Sequence, residues 1–162
     1  LNNKTYKYFL YITLINIFII CTTLFIEYFL KIRPCILCLY ERYPYYLILL
    51  LSCLFFLNND WKNQLIILII LTSIGSFFLA GYHAGIEYGL INELSSCKVS
   101  ANDNISKDTL VKELENRLST SCKDVNFKLF GLSLASINAI VSLALSILYY
   151  KIFSWIKNIA NK

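Results

Sequence analysis

Cys35 and Cys38, spaced C-x-x-C, are the residues of this sequence best suited to chemistry. Such a pair at the start of a helix holds two thiols within bonding distance, and the positive end of the helix stabilises a thiolate. Arg42 follows Cys38 by four residues, on the same helical face, where its charge would lower the thiol pKa further. The spacing predicts a redox-active dithiol. Zinc sites share it, but a zinc ribbon needs a second C-x-x-C, so no metal is expected.

Cys97 and Cys122 supply two more thiols, which the predicted topology puts on the same side of a membrane as the C-x-x-C. Outside a metal site, four such thiols would be unusual in a reducing cytosol, whereas in an oxidising compartment they form disulfides. Four cysteines allow three pairings. Cys21 and Cys53 lie in apolar segments and are interpreted as buried, inert side chains.

His83 and Glu87 are spaced i, i+4 near the end of an apolar segment. One histidine and one carboxylate are too few ligands for a metal, so the pair is interpreted as a buried hydrogen-bonded contact rather than a proton relay. Glu41 lies among tyrosines, and this segment is first interpreted as an aromatic belt at the membrane interface. The tyrosines are Tyr40, Tyr43 and Tyr45.

The segments that carry these residues are apolar enough to cross a membrane. Of the 162 residues, 57% are hydrophobic and 15% are charged, against about 25% charged in soluble domains. This composition excludes a disordered chain, and a net charge of +5 without a basic block argues against nucleic-acid binding. Four stretches approach the roughly 20 residues of a spanning helix, at about 8–30, 36–57, 64–82 and 129–150. The expected fold is all-α, a single membrane domain over residues 1–162 built as an antiparallel four-helix bundle.

Details of packing follow from single residues in these spans. A second span that began at Pro44 would be too short, so its helix is predicted to start near Ile36 and to kink at the proline. Asn16 and Asn138 predict hydrogen bonds between helices, and Gly131 is interpreted as the first of a row of small residues that lets helices approach closely.

Two loops, at about 31–35 and 83–128, lie opposite both termini. The longer loop is predicted to hold a short amphipathic helix on the membrane surface. The positive-inside rule does not decide the orientation, because most basic residues lie in this long loop, where the rule weakens. The termini are placed in the cytoplasm because the outer thiols require an oxidising side. The apolar stripe of the amphipathic helix is Leu110, Val111, Leu114 and Leu118.

Residues 34–42, Pro-Cys-Ile-Leu-Cys-Leu-Tyr-Glu-Arg, closely resemble the signature of the disulfide bond formation protein B (DsbB) family. Members are four-helix inner-membrane proteins with a C-x-x-C after the first span and a second cysteine pair between the third and fourth. The segment from Tyr82 to Glu87 is similar to a variant found in some branches. The resemblance implies a multi-pass protein of the bacterial inner membrane, with its redox cysteines in the periplasm.

The resemblance also implies a protein-disulfide:quinone oxidoreductase and a path for its electrons. A periplasmic thioredoxin-like thiol oxidase, similar to DsbA, would attack the Cys97–Cys122 disulfide, with Cys97 the more reactive sulfur. Cys122 would then exchange with Cys35, and Cys38 would face a membrane quinone, ubiquinone or menaquinone, as the charge-transfer thiolate. The residues expected to bind the quinone are Arg42, Cys38, Glu41 and His83.

Two other functions stay open at this point. The chain could be a specialised paralogue that serves one dedicated thiol oxidase with the same chemistry. It could instead be a non-catalytic membrane scaffold whose outer cysteines are structural or bind zinc. Stoichiometric zinc, four free outer thiols and no bound quinone would favour the scaffold.

Overall fold

The computed structural model describes residues 3–31, 34–58, 60–92, 122, 128–129 and 131–160. Cys97 and the predicted amphipathic helix lie outside these residues. The described part is mostly helical and also contains one short antiparallel β-hairpin. The helices are α1 (Asn3–Tyr28), α2 (Ile36–Tyr40), α3 (Arg42–Leu57), α4 (Lys62–Glu87) and α5 (Leu134–Ala160), and the strands are β1 (Lys128–Leu129) and β2 (Leu132–Ser133).

Three of the described helices, α1, α4 and α5, are long and apolar enough to cross a membrane. Their outward faces expose large apolar side chains such as Phe18, Leu71 and Ile140, which suits contact with lipid rather than water. The chain is therefore a multi-pass membrane protein. Cys21 and Cys53 are also exposed, so the prediction that they are buried is wrong.

The core lies where α1, α3, α4 and α5 pack on one another. Phe9 and Phe55 are fully buried and stack with their ring centroids 4.1 Å apart, and Tyr149 is buried beside them. Polar groups cross the same interfaces: the Asn16 amide donates to the Tyr45 carbonyl over 3.1 Å. The hydrogen bond predicted between helices at Asn16 is therefore confirmed.

The second predicted span begins at Ile36, as predicted, and its helix is interrupted at the single residue Glu41, three residues before Pro44. Because proline lacks an N–H and its ring clashes with the carbonyl four residues earlier, the helix ends at Tyr40. Helix α3 begins at Arg42, which puts Pro44 in its first turn, where proline is tolerated. The 16 residues of α3 extend about 24 Å, less than the roughly 30 Å of a bilayer core. A fourth span thus remains a prediction.

The third and fourth long helices differ in their ends from the predicted spans. Helix α4 continues to Glu87, so His83 lies on the helix and not in a loop that starts at residue 83. Helix α5 begins at Leu134, because the preceding residues form the hairpin of β1 and β2. Gly131 has a φ of +82° at this turn, a conformation that favours glycine. It is therefore a turn residue and not part of a helical row of small residues.

Candidate active site

A cavity of about 330 Å³ lies among the helices. Much of its wall is apolar and comes from α1 and α5, for example from Ile20 and Val141. A cluster of ionisable and sulfur-containing side chains forms the rest. This combination of apolar walls and a few convergent polar groups is typical of sites for small molecules. The cluster consists of Glu27, Cys35, Cys38, Glu41, Arg42, His83, Glu87 and Cys122.

Cys35 and Cys38 are free thiols whose sulfur atoms lie 3.0 Å apart. Cys35 is the N-cap residue of α2, and its sulfur accepts a hydrogen bond of 3.2 Å from the backbone N–H of Cys38. The local sequence therefore produces this geometry by itself. When C-x-x-C begins a helix, the backbone N–H of the second cysteine points at the sulfur of the first. The two sulfurs are close enough to form a disulfide after a small movement.

The hydrogen bonds around Cys35 favour its thiolate. The largest effect is the hydrogen bond with the Cys38 thiol; burial opposes it, and contacts with His83 and the Cys38 backbone N–H add to it. Together they lower the pKa of Cys35 to about 4. In the dithiol state these contacts favour the negative charge on Cys35.

His83 approaches Cys35 from α4 and is fixed in orientation by Glu41. Its Nε2 atom lies 3.5 Å from the Cys35 sulfur, and its Nδ1 atom lies 2.6 Å from Oε1 of Glu41. The other Glu41 oxygen accepts a 2.6 Å hydrogen bond from the Asn138 amide of α5. Each member of this series is buried or partly buried, so the carboxylate positions the imidazole against the sulfur.

The hydrogen bonds continue from Asn138 into the core. The Tyr45 hydroxyl donates to the Asn138 carbonyl oxygen and lies 3.0 Å from the Ser142 hydroxyl. The Ser142 hydroxyl in turn lies 3.0 Å from that of Ser76. The hydrogen bonds predicted for Asn138 are therefore confirmed. Glu41 and Tyr45 are buried, so the interpretation of the whole segment as an exposed aromatic belt is wrong for these two residues.

Arg42 forms its ion pair with Glu27 of α1, and both side chains are partly buried. The sequence predicts instead that Arg42 supplies the cation beside the thiols, but the ring nitrogen in contact with Cys35 belongs to His83. Arg42 still lines the cavity that contains both sulfurs. Glu27 is a residue that the sequence argument missed; a carboxylate at the end of an apolar span needs a cationic partner, which was the available signal.

Glu87 also faces this cavity, one turn after His83. Its Oε1 atom lies 3.8 Å from His83 Nε2, too far for a hydrogen bond, so the predicted pairing of these two residues is replaced by the contact between His83 and Glu41. The Glu87 side chain is 8% exposed. Among the described residues, its Oε2 atom has no hydrogen-bond partner.

The predicted site residues on the described part of the chain therefore surround one cavity. Cys122 lines it as well; it is buried in the same cluster as Cys35, and its sulfur is in a disulfide bond. Cys97 lies outside the described residues, so its pairing with Cys122 and the catalytic roles of all four cysteines stay predictions. The residues brought together are Cys35, Cys38, Glu41, Arg42, His83 and Cys122.

Comparison with known proteins gives one family. The model of the family described as disulfide bond formation protein DsbB matches residues 5–152. A protein of Rickettsia prowazekii (strain Madrid E), named uncharacterized protein RP370, is 27% identical over 135 residues, which cover 82% of this chain and 78% of that protein. No solved structure matches. Since the family match extends over nearly the whole chain and includes the C-x-x-C, the chain belongs to the DsbB family of membrane oxidoreductases that support disulfide bond formation.

Proposed function

We propose that this protein reoxidises a periplasmic, DsbA-like thiol oxidase and passes the electrons through two cysteine pairs to a membrane quinone. The observation that carries this proposal is the free Cys35–Cys38 pair at a largely apolar cavity among membrane-crossing helices. A dithiol in such a place can exchange electrons with a lipid-soluble acceptor. A soluble acceptor would require a polar and open approach.

The residues around the cavity fit a quinone. Apolar side chains such as Ile20 and Val141 suit a ring and its lipid tail, and donors at the polar part suit carbonyl oxygens. Arg42 and His83 are the donors that would hold those oxygens. A bound quinone supplies the electron sink, because it takes up two electrons and two protons on becoming the quinol. The chain contributes the thiolate, the orientation of the donors and the exclusion of water.

The thiol exchange takes place between Cys122 and Cys35, which are buried in one cluster and line the same cavity. The Cys122 thiolate attacks Cys35 of an oxidised Cys35–Cys38 pair; a Cys122–Cys35 disulfide forms, and Cys38 leaves with the electron pair. Because Cys35 is then bonded to Cys122, it cannot hold the negative charge that it holds in the dithiol state. The negative charge therefore moves to Cys38, as expected for the sulfur that faces the acceptor.

The positions of the site residues also support an orientation. The C-x-x-C follows α1, His83 is near the end of α4, and the hairpin precedes α5, so the site lies at the end of the helices opposite the termini. In this proposal that end faces the periplasm, the termini are cytoplasmic, and the membrane is the bacterial inner membrane. Helices α2 and α3 together complete a fourth span of an antiparallel four-helix bundle.

The test is quinol formation by the purified chain in detergent, supplied with quinone and a reduced DsbA-like protein. We expect steady turnover in the native protein and none in Cys38→Ser. Cys53→Ser is the matched control, because Cys53 is exposed on the outside of α3 and should keep full activity. Unchanged turnover in Cys38→Ser would contradict the proposed function.

A further inference from the structure

Independently of electron transfer, we propose that the reduced site binds one zinc ion. Its ligands are the sulfur atoms of Cys35 and Cys38, Nε2 of His83 and the carboxylate of Glu87. The site is formed only in the dithiol state, so bound zinc holds the pair reduced and withdraws it from electron transfer. This inference does not require a quinone or a thiol oxidase.

The ligand atoms already have nearly the separations of a tetrahedral zinc site. The two sulfurs and His83 Nε2 all lie within 4.8 Å of one another, with 3.0 Å between the sulfurs and 3.5 Å from Cys35 to the ring. Glu87 Oε1 lies 3.8 Å from the same ring nitrogen. Tetrahedral bonds of about 2.0–2.3 Å separate neighbouring ligand atoms by roughly 3.3–3.8 Å. Small side-chain movements therefore suffice to enclose the ion.

The histidine has the second hydrogen bond that zinc ligands usually have. Its Nδ1 atom bonds to Glu41 over 2.6 Å, which leaves Nε2 directed at the sulfurs. Glu41 is itself held by the Asn138 amide. A carboxylate on the far side of a ligating imidazole fixes the ring and makes it a better donor to the metal.

Glu87 gives an independent indication of a cation. Its side chain is more than nine-tenths buried, and Ser133 is within hydrogen-bonding reach of the carboxylate. Even so, Oε2 has no partner among the residues that the structure describes. A buried carboxylate oxygen without a partner is unfavourable. A metal ion between Glu87 and His83 would satisfy it.

The chemistry of the ligands selects the metal and the redox state. Thiolates and imidazole favour zinc over magnesium or calcium, which prefer oxygen. On binding, Cys35 and Cys38 are both thiolates and any proton on either sulfur is released; the two thiolates and the Glu87 carboxylate bring three negative charges to the two positive charges of Zn²⁺. A Cys35–Cys38 disulfide offers no thiolate, so the oxidised protein should not bind the ion.

The experiment uses the full chain in detergent, reduced with a phosphine, without quinone or partner protein. After incubation with zinc and removal of unbound metal, we expect one zinc per chain in the reduced protein and less than about a tenth of that after disulfide formation. Cobalt in place of zinc should give the absorption of a tetrahedral thiolate complex. Failure of quinone reduction would leave this result unaffected, so the two proposals are tested separately.

Variants locate the ion. Cys38→Ser should lose the zinc, whereas Cys53→Ser should retain one equivalent, because Cys53 is exposed elsewhere on the same helix bundle. The reductant also opens the disulfide of Cys122 and so frees another thiol that can bind zinc. Cys122→Ser removes this thiol, so zinc that persists in the variant is bound at the C-x-x-C.

Glu41→Gln tests the orienting carboxylate without removing a ligand. It should weaken zinc binding about 10- to 100-fold while the cobalt spectrum keeps its thiolate band. His83→Gln should shift that spectrum, because a nitrogen ligand is lost. No retained zinc in the reduced native protein, or equal zinc in Cys38→Ser, would overturn the inference.

Discussion

The two ends of the helix assembly are built on different principles. Near the termini, Phe9, Phe55 and Tyr149 form a buried aromatic group within a mainly aliphatic core of α1, α3, α4 and α5. At the opposite end, a break in the second helical region is surrounded by buried groups such as Glu41 and His83. The first end supplies packing energy. The second holds polar groups that only a hydrogen-bond network makes tolerable inside a membrane protein, which is the pattern expected of a functional site.

The largest expected effect separates activity from stability at the polar end. Cys35→Ser removes the sulfur that the proposed mechanism needs for the Cys35–Cys38 disulfide and for the exchange with Cys122, so quinol formation should fall to the uncatalysed level. The thermal unfolding midpoint in detergent should change little, because the hydroxyl can accept the same backbone N–H. Turnover and unfolding are measured on the same preparation. Residual turnover above background would show that Cys35 is dispensable.

The converse change lies at the aromatic end. Phe55→Ala leaves a cavity beside Phe9 and should lower the free energy of unfolding by about 3 kcal/mol. Turnover per folded molecule should be retained, since Phe55 does not line the site cavity. Denaturant unfolding in detergent and an activity assay check this together. Equal losses of activity and stability would show that the two ends are not separable.

Arg42→Gln should act on acceptor binding rather than on the thiol exchange. Loss of a charged donor at the cavity should raise KM for quinone about tenfold, equivalent to about 1.4 kcal/mol, with a smaller change in kcat. Glu27→Gln is the matched control, because it breaks the same ion pair and keeps the guanidinium. If both variants raise KM equally, the ion pair itself and not the donor determines the affinity.

The smallest expected effect is a shift in the titration of Cys35. In the native dithiol, the thiolate absorbance should persist as the pH falls and disappear near pH 4, because the pKa of Cys35 is lowered to about 4. His83→Gln removes one of the contacts that lower it, so the midpoint should move to higher pH. Ultraviolet absorbance in metal-free buffer measures the change. An unaltered midpoint in His83→Gln would mean that the contact with Cys38 alone accounts for the shift.

The sequence predicted those features of the fold that depend on local rules. The excess of apolar residues predicted membrane helices, and α1, α4 and α5 were found near the expected positions. Local rules also explain where the helices are interrupted. Pro44 was expected to kink a helix, and that helix is interrupted at Glu41, directly after Tyr40, whose carbonyl clashes with the proline ring. Gly131, at φ +82°, starts a turn where a continuous helix was expected.

The site was predicted in part, and the limit has a physical cause. Cys35 and Cys38 are neighbours in sequence, so their geometry at a helix start could be derived directly. His83 and Glu41 are 42 residues apart, and nothing in either local pattern indicates that they bond. For the same reason His83 and Glu87 looked too poor in ligands for a metal, because the two sulfurs beside them come from another helix.

The amino-acid sequence alone determined that the chain enters a membrane, that it carries a dithiol at a helix start, and that its signature is that of the DsbB family. Tertiary structure decided which groups surround that dithiol: the imidazole held by Glu41, the carboxylate of Glu87, and the pairing of Arg42 with Glu27. Composition and periodicity indicate whether a segment, or one face of it, is apolar and suited to lipid or to the protein core. Contacts between side chains on different helices depend on how those helices pack, and that is a property of the whole chain.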